Sequence, residues 1–167
     1  RALRLGPGLD PATDVGPVIN STQLAKIASY IPVGVDEGAT VAVGGRVAHP
    51  DGYSGGYYFE PTVFADARGG MRIAQEEIFG PVTAIVPVDT LAEAVAVNNE
   101  VPYGLSSAIY TRDVNQAFQA MELLTTGLAM TVAGAAGAAE GELDLGADRP
   151  GVHVHQSGRQ QLHRLER

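Results

Sequence analysis

Two adjacent carboxylates, Glu76 and Glu77, stand in front of Ile78, an aromatic at Phe79, a Gly80-Pro81 pair and the strand-forming run Val82 to Val88. The ring of Pro81 fixes its own φ and keeps Gly80 out of the α region, so the chain must turn between Phe79 and Val82. A turn held in this way aims the side chains just before it. An ionised carboxylate offers only acceptor oxygens, and an aromatic ring offers an apolar face. Presented together they suit a ligand with a vicinal diol and a flat ring, and a ribose carrying a nicotinamide is such a ligand. The plainer alternative is that both glutamates are solvated and Phe79 belongs to the core.

Gln23 and Lys26 form a second constellation. Lys26 is the only lysine of the chain, one helical turn after Gln23. An amide and an ammonium at i and i+3 can both reach one polyol, or both can face solvent. His153 and His155 alternate and would share a face on a strand, but two ligands without a third make a weak metal site, and His163 adds no support. We assign no metal ligand. Gly44-Gly45 and Ser54-Gly55-Gly56 read as loop punctuation, because neither a GxGxxG nor a GxxxxGK[ST] pattern occurs. No Ser-His-Asp arrangement has support in the sequence.

The elements that must position these residues follow from periodicity and caps. Residues 1–18 read as a Gly/Pro/Asp-rich loop. Asn20 caps a first helix with Gln23 in capping-box position, and Leu24, Ile27, Ala28, Ile31 and Val35 give it one apolar face. Pro32 predicts a kink or break late in that helix and Gly38 its end. A short strand at 40–43 follows. Tyr57 to Phe64 reads as extended and broken at Pro61, which argues for an edge or a connector. After the strand at 82–88, Thr90 and Glu93 open a helix to about Asn98, and Leu105 to Thr111 is the next strand. Asp113 caps a further helix with Val114, Ala117, Phe118, Met121 and Leu124 on one face and Gly127 as its C-cap. Strand and helix alternating in this way predict an α/β fold with a parallel sheet built from βαβ units.

Composition bounds the rest. A chain of 167 residues, 45% apolar and 18% charged, has room for one domain with a core. The net charge of −8 argues against nucleic acid as a partner. No run approaches the eighteen or so apolar residues of a membrane span, and we expect a cytoplasmic protein with no membrane partner. There is no cysteine, hence no disulfide and no thiolate nucleophile or metal ligand.

Glu-Glu-Ile-Phe-Gly-Pro-Val at 76–82 resembles the EEIFGPV signature of the NAD(P)-dependent aldehyde dehydrogenase superfamily. Gly16-Pro17-Val18-Ile19, Gly44-Gly45, Phe59-Glu60-Pro61-Thr62-Val63 and Tyr103-Gly104-Leu105 stand in the family's order, so the resemblance covers about residues 5–127. It implies that this stretch is part of the catalytic domain of an enzyme oxidising an aldehyde to a carboxylic acid with NAD or NADP. It further implies that Glu77 holds the hydroxyls of the nicotinamide ribose and that Phe79 lies against the nicotinamide end of the cofactor. In several members a Gln and a Lys spaced like Gln23 and Lys26 contact ribose hydroxyls. The partners implied are a small-molecule aldehyde and, in the intact parent, further copies in a homo-oligomer.

The family's nucleophilic Cys lies upstream of the signature, before the equivalent of Arg1. The chain therefore reads as a C-terminal piece that carries cofactor-positioning residues and no catalytic residue. From 128 the family pattern fails. The Val-Asn, Pro-Phe-Gly-Gly and Ser-Gly-rich motifs are replaced by an Ala/Gly tract at 133–139 and an Arg/His/Gln-rich end. The expectation is a partial catalytic domain over 1–127 and a divergent, irregular and disordered tail over 128–167, for which a change of reading frame in the gene would account. The rival reading is a non-catalytic binding or assembly module, or an inactive gene remnant.

Overall fold

The computed structural model describes residues 3–53, 55–133, 153–157 and 161–165, with side chains up to residue 129. The elements in order are helix α1 (Ser21–Asp36), strands β1 (Thr40–Val43), β2 (Val47–Ala48), β3 (Tyr58–Phe59) and β4 (Thr62–Ala65), and the single-turn helix α2 (Arg72–Gln75). Strand β5 (Val82–Val88), helix α3 (Leu91–Asn99), strand β6 (Ser106–Thr111) and helix α4 (Val114–Leu123) follow. Strands β7 (Leu128–Ala133), β8 (His153–Ser157) and β9 (Gln161–Leu165) complete the described chain.

Local chemistry sets the helix starts. The side chains of Asn20, Thr90 and Asp113 accept from the backbone N–H groups of Gln23, Glu93 and Gln116, satisfying donors that a helix leaves unpaired at its first turn. None of the three boxes closes reciprocally in these bonds, since the second side chain goes elsewhere. The Glu93 carboxylate accepts from Asp89 N–H, Gln116 accepts from the Thr111 hydroxyl, and Gln23 donates to a distant loop. At the other end of α1, Gly38 takes φ +98, its N–H bonds to Val35 O, and Ala39 N–H bonds to Gly34 O. This is a Schellman end, and the left-handed conformation explains the glycine.

Helix α1 runs through Pro32 to Asp36, so the expected late break is corrected. Residues on both sides of the proline, Ile27, Tyr30 and Gly34, are buried, and that packing outweighs the one hydrogen bond the proline forgoes. The expected apolar face holds at Leu24, Ile27, Ala28 and Ile31, but Val35 is half exposed.

The main sheet has the order β1-β4-β5-β9-β8-β6-β7, and β2 and β3 form a separate two-stranded ribbon. Parallel pairs join β4 to β5, β5 to β9 and β6 to β7, while β1–β4, β8–β9 and β6–β8 are antiparallel. The α/β class with parallel elements is therefore observed, in a mixed sheet. Strand β6, helix α4 and strand β7 form a βαβ unit with adjacent parallel strands, as the alternation predicts. Strand β4 sits inside the sheet rather than at its edge. Pro61 lies just outside the strand, where it removes no ladder hydrogen bond, and the ladder starts at Thr62.

Two further expectations are corrected. Helix α4 stops at Leu123, and Gly127 is not its cap: Leu124 turns extended at ψ 129, and Gly127 N–H bonds to Gly104 O. Ala117, Ala120 and Leu124 are buried, whereas Val114, Phe118 and Met121 are exposed. Within α4 itself the buried residues are thus the small Ala117 and Ala120, which allow close approach to the sheet, with Leu124 buried just past its end.

Past residue 127 strand segments stand where an irregular tail was expected. Leu128, Met130 and Val132 alternate with small residues, the period-2 pattern of a strand, and β7 pairs along its whole length with β6. The segments 134–152 and 158–160 lie outside the described residues, as do the side chains of His153, His155 and His163.

Candidate functional site

The chain leaves α2 at Glu76 in extended conformation and then bends at Phe79, whose φ is +54. A bulky residue in the left-handed region is uncommon and strained, and it persists only where the surroundings hold it. Val82 N–H bonds to Gly80 O at 2.8 Å, a tight turn centred on Pro81, and Pro81 O in turn accepts from Thr62 N–H at 2.8 Å. The turn anticipated from Gly80-Pro81 is present, and it hands the chain directly into the β4–β5 ladder.

Helix α1 supplies the surroundings. Gln23 Nε2 donates to Ile78 O at 2.8 Å and to Phe79 O at 2.9 Å. Lys26 Nζ donates to Glu77 O at 3.0 Å and lies 5.6 Å from the centroid of the Phe79 ring, within cation–π range. Ile27, wholly buried, fills the space beside Gly80: a Cβ there would stand 2.5 Å from Ile27 Cδ1 and 2.6 Å from Cγ1. Gly80→Ala is therefore expected to destabilise the chain by about 1–3 kcal/mol through overpacking. Urea denaturation measures it, and an unchanged midpoint would show that Ile27 yields freely.

The two carboxylates have separate fates. Glu76 accepts from Tyr30 Oη at 2.7 Å and from Arg72 Nε at 2.6 Å and Nη2 at 3.0 Å. Arg72 also stacks its guanidinium 5.8 Å from the Tyr30 ring centroid. Its pKa is raised, first by the hydrogen bond to Glu76 and then by that carboxylate's charge. Backbone bonds extend the cluster, with Arg72 N–H donating to Glu37 Oε2 at 2.8 Å. Glu77 is half buried, and among the described residues none donates to its carboxylate. Such a group can accept two hydroxyl hydrogen bonds from one diol. Beside it Phe79 is 69% exposed and lies outside the core formed by the described residues.

All four residues singled out from the sequence, Gln23, Lys26, Glu77 and Phe79, thus meet in one cluster. Sequence reasoning did not single out Tyr30, Ile27 or Arg72 as parts of it. The i, i+4 spacing of Arg72 and Glu76 was a usable signal for their pairing, and residues 23, 26, 27 and 30 share one helix face. Among the described residues no group of three or more His, Asp or Glu is placed to hold a metal ion. No helix of the described residues is long and apolar enough to cross a membrane.

Comparison with known sequences decides the family. The model of the aldehyde dehydrogenase family matches residues 1–165. The chain belongs to the aldehyde dehydrogenase family. Among its relatives, betaine aldehyde dehydrogenase of Mesorhizobium japonicum is 39% identical over 127 residues, covering 76% of this chain and 26% of the relative. The Rhizobium leguminosarum enzyme of the same name is 42% identical over 127 residues, covering 75% and 26%. Among solved structures, betaine aldehyde dehydrogenase of Staphylococcus aureus in complex with NAD+ superposes with a TM-score of 0.74 at 40% identity, covering 77% of this chain and 26% of that one. An aldehyde dehydrogenase of Mycobacterium tuberculosis complexed with NAD+ gives a TM-score of 0.73 at 42% identity, covering 80% and 27%. The chain spans about a quarter of the length of the relatives it matches.

Proposed function

We propose that this chain supplies the nicotinamide-ribose-holding part of an aldehyde dehydrogenase that oxidises an aldehyde to a carboxylic acid with NAD or NADP. The observation that carries this reading is the division of labour between the two carboxylates. Glu76 is occupied by Tyr30 and Arg72, whereas Glu77 is left to accept from a ligand beside the exposed Phe79 face. The donor set fits the cofactor's nicotinamide end: two acceptor oxygens for vicinal hydroxyls, a flat apolar face for the ring, and an ammonium at Lys26 with N–H donors beyond the one given to Glu77 O. NAD+ in the solved relatives supports this choice of cofactor.

When bound, the cofactor accepts a hydride from the substrate. Glu77 would hold the ribose hydroxyls and Phe79 would flank the ring, Lys26 would offer its remaining N–H donors beside them, and Gln23 holds the carbonyls of the loop that carries both. Holding reactants in register in this way is worth large rate factors. We extend the reading to a small-molecule aldehyde partner, a homo-oligomeric parent and a cytoplasmic location, with residues 1–127 as the partial catalytic domain.

The chain by itself is expected not to turn over. With no cysteine it has no thiolate to attack the carbonyl. Purified chain with NAD+ and a panel of aldehydes should show no growth of NADH absorbance above a boiled control. Expression and assay of the whole reading frame tests the reading itself. An in-frame upstream Cys with aldehyde-dependent NADH or NADPH formation is the expected result. A start codon near Arg1 with no upstream Cys would overturn it in favour of a non-catalytic module or an inactive remnant.

A further inference from the structure

One face of α1 touches every residue of the motif from 76 to 80. Gln23 reaches the carbonyls of Ile78 and Phe79, Lys26 that of Glu77, Ile27 packs on Gly80, and Tyr30 binds the Glu76 carboxylate. These four residues follow the i, i+3, i+4, i+7 spacing of a single helix face. Three successive backbone carbonyls, 77 to 79, are therefore capped from one side by two side chains. Backbone C=O groups in an irregular, half-buried loop need such partners, since no ladder supplies them.

We infer that Gln23 is a positioning residue, which sets the cofactor-facing conformation of residues 77–79 rather than donating to the cofactor. The count of hydrogen-bond groups carries this. A Gln side chain has two N–H donors and one acceptor oxygen, all on its terminal amide. Nε2 already engages two carbonyls, at 2.8 and 2.9 Å, so no donor remains for a ribose hydroxyl. Those two bonds flank the bend at Phe79, the one site residue with positive φ. Without them nothing on α1 restrains the carbonyls on either side of that strained residue, and the loop relaxes toward an ordinary extended conformation. Glu77 and the Phe79 ring then lose their common orientation.

Two substitutions separate this role from direct contact with a ligand. Gln23→Leu removes donors and acceptor together. Gln23→Glu keeps shape and acceptor oxygens, which a ribose hydroxyl could still use, but turns a carboxylate against two carbonyl oxygens. The first readout needs no cofactor: amide exchange by NMR at Thr62 and Val82, whose N–H groups are held by the carbonyls of Pro81 and Gly80. Both variants are expected to speed exchange there by roughly tenfold or more, the glutamate at least as much as the leucine, with the amides of β6 unchanged. Unchanged exchange at Thr62 and Val82, or an equal rise throughout β6, would overturn the inference; the second result would mark a general structural role.

A second arm rests on the cofactor reading above. In the whole reading-frame product, Gln23→Glu should weaken NAD+ binding by roughly tenfold or more, and binding like that of the wild type would also overturn the inference. If the wild type itself fails to bind NAD+, the cofactor reading fails while the exchange result stands by itself. The two ideas therefore fail separately.

Discussion

Replacing Glu77 by Gln in the full-length enzyme is expected to weaken cofactor binding and slow hydride transfer together, roughly tenfold to a hundredfold. The proposed arrangement has one carboxylate accepting from two ribose hydroxyls. Gln replaces one acceptor oxygen by a donor and removes the charge, and a hydrogen bond to a charged group contributes about 1.5–3 kcal/mol. Because the ribose carries the ring, part of the loss falls on kcat as well as on the KM for the cofactor. Glu76 supplies the contrast. Its carboxylate is held by Tyr30 Oη and bidentately by Arg72, facing α1 and α2. Glu76→Gln should therefore lower thermal stability and change kcat much less. Steady-state kinetics of both variants with NAD+ and NADP+ decide between the two carboxylates. Equal effects, or a larger one at Glu76, would mean that Glu77 is not the ribose ligand.

Phe64→Ala is expected to be the most damaging single change to the fold. Phe64 is wholly buried on β4, and its ring edge lies so close to α1 that a Cβ on Gly34 would stand 2.6 Å from Cε1. Ile73 of α2 closes the same space. Truncation removes the contact that joins α1, α2 and β4, the three elements that frame the candidate site. A buried Phe→Ala change costs about 3–5 kcal/mol, against a total stability of about 5–15 kcal/mol for an ordinary domain. Chemical denaturation of the 167-residue chain measures it. A loss below about 1 kcal/mol would show that the space collapses around the deletion.

The exposed stripe of α4 and the buried Phe64 illustrate different kinds of legibility. Periodicity located α4, and Asp113 as its cap, and placed Val114, Phe118 and Met121 on the same apolar face as Ala117 and Leu124, yet these three are exposed. Burial depends on which face meets the sheet, and the sheet chose Ala117 and Ala120. The same holds for α1, where Pro32 is a local breaker and tertiary packing keeps the helix intact.

What the sequence by itself determined were features whose cause lies within a few residues. Asn20, Thr90 and Asp113 cap helices because each side chain reaches an N–H only two or three positions on. Gly80-Pro81 turns the chain because a ring closes on its own backbone. The motif at 76–82 and its ordered neighbours sufficed for the family. The tertiary structure alone decided what depends on distant partners. Gln23 and Phe79 are 56 positions apart, Tyr30 and Glu76 are 46 apart, and no local pattern specifies that these pairs meet. Only the packing of α1 over the β4–β5 end of the sheet brings them together. That packing separates a carboxylate bound by Tyr30 and Arg72 from one left to accept a ligand, a distinction that two identical neighbouring letters cannot express.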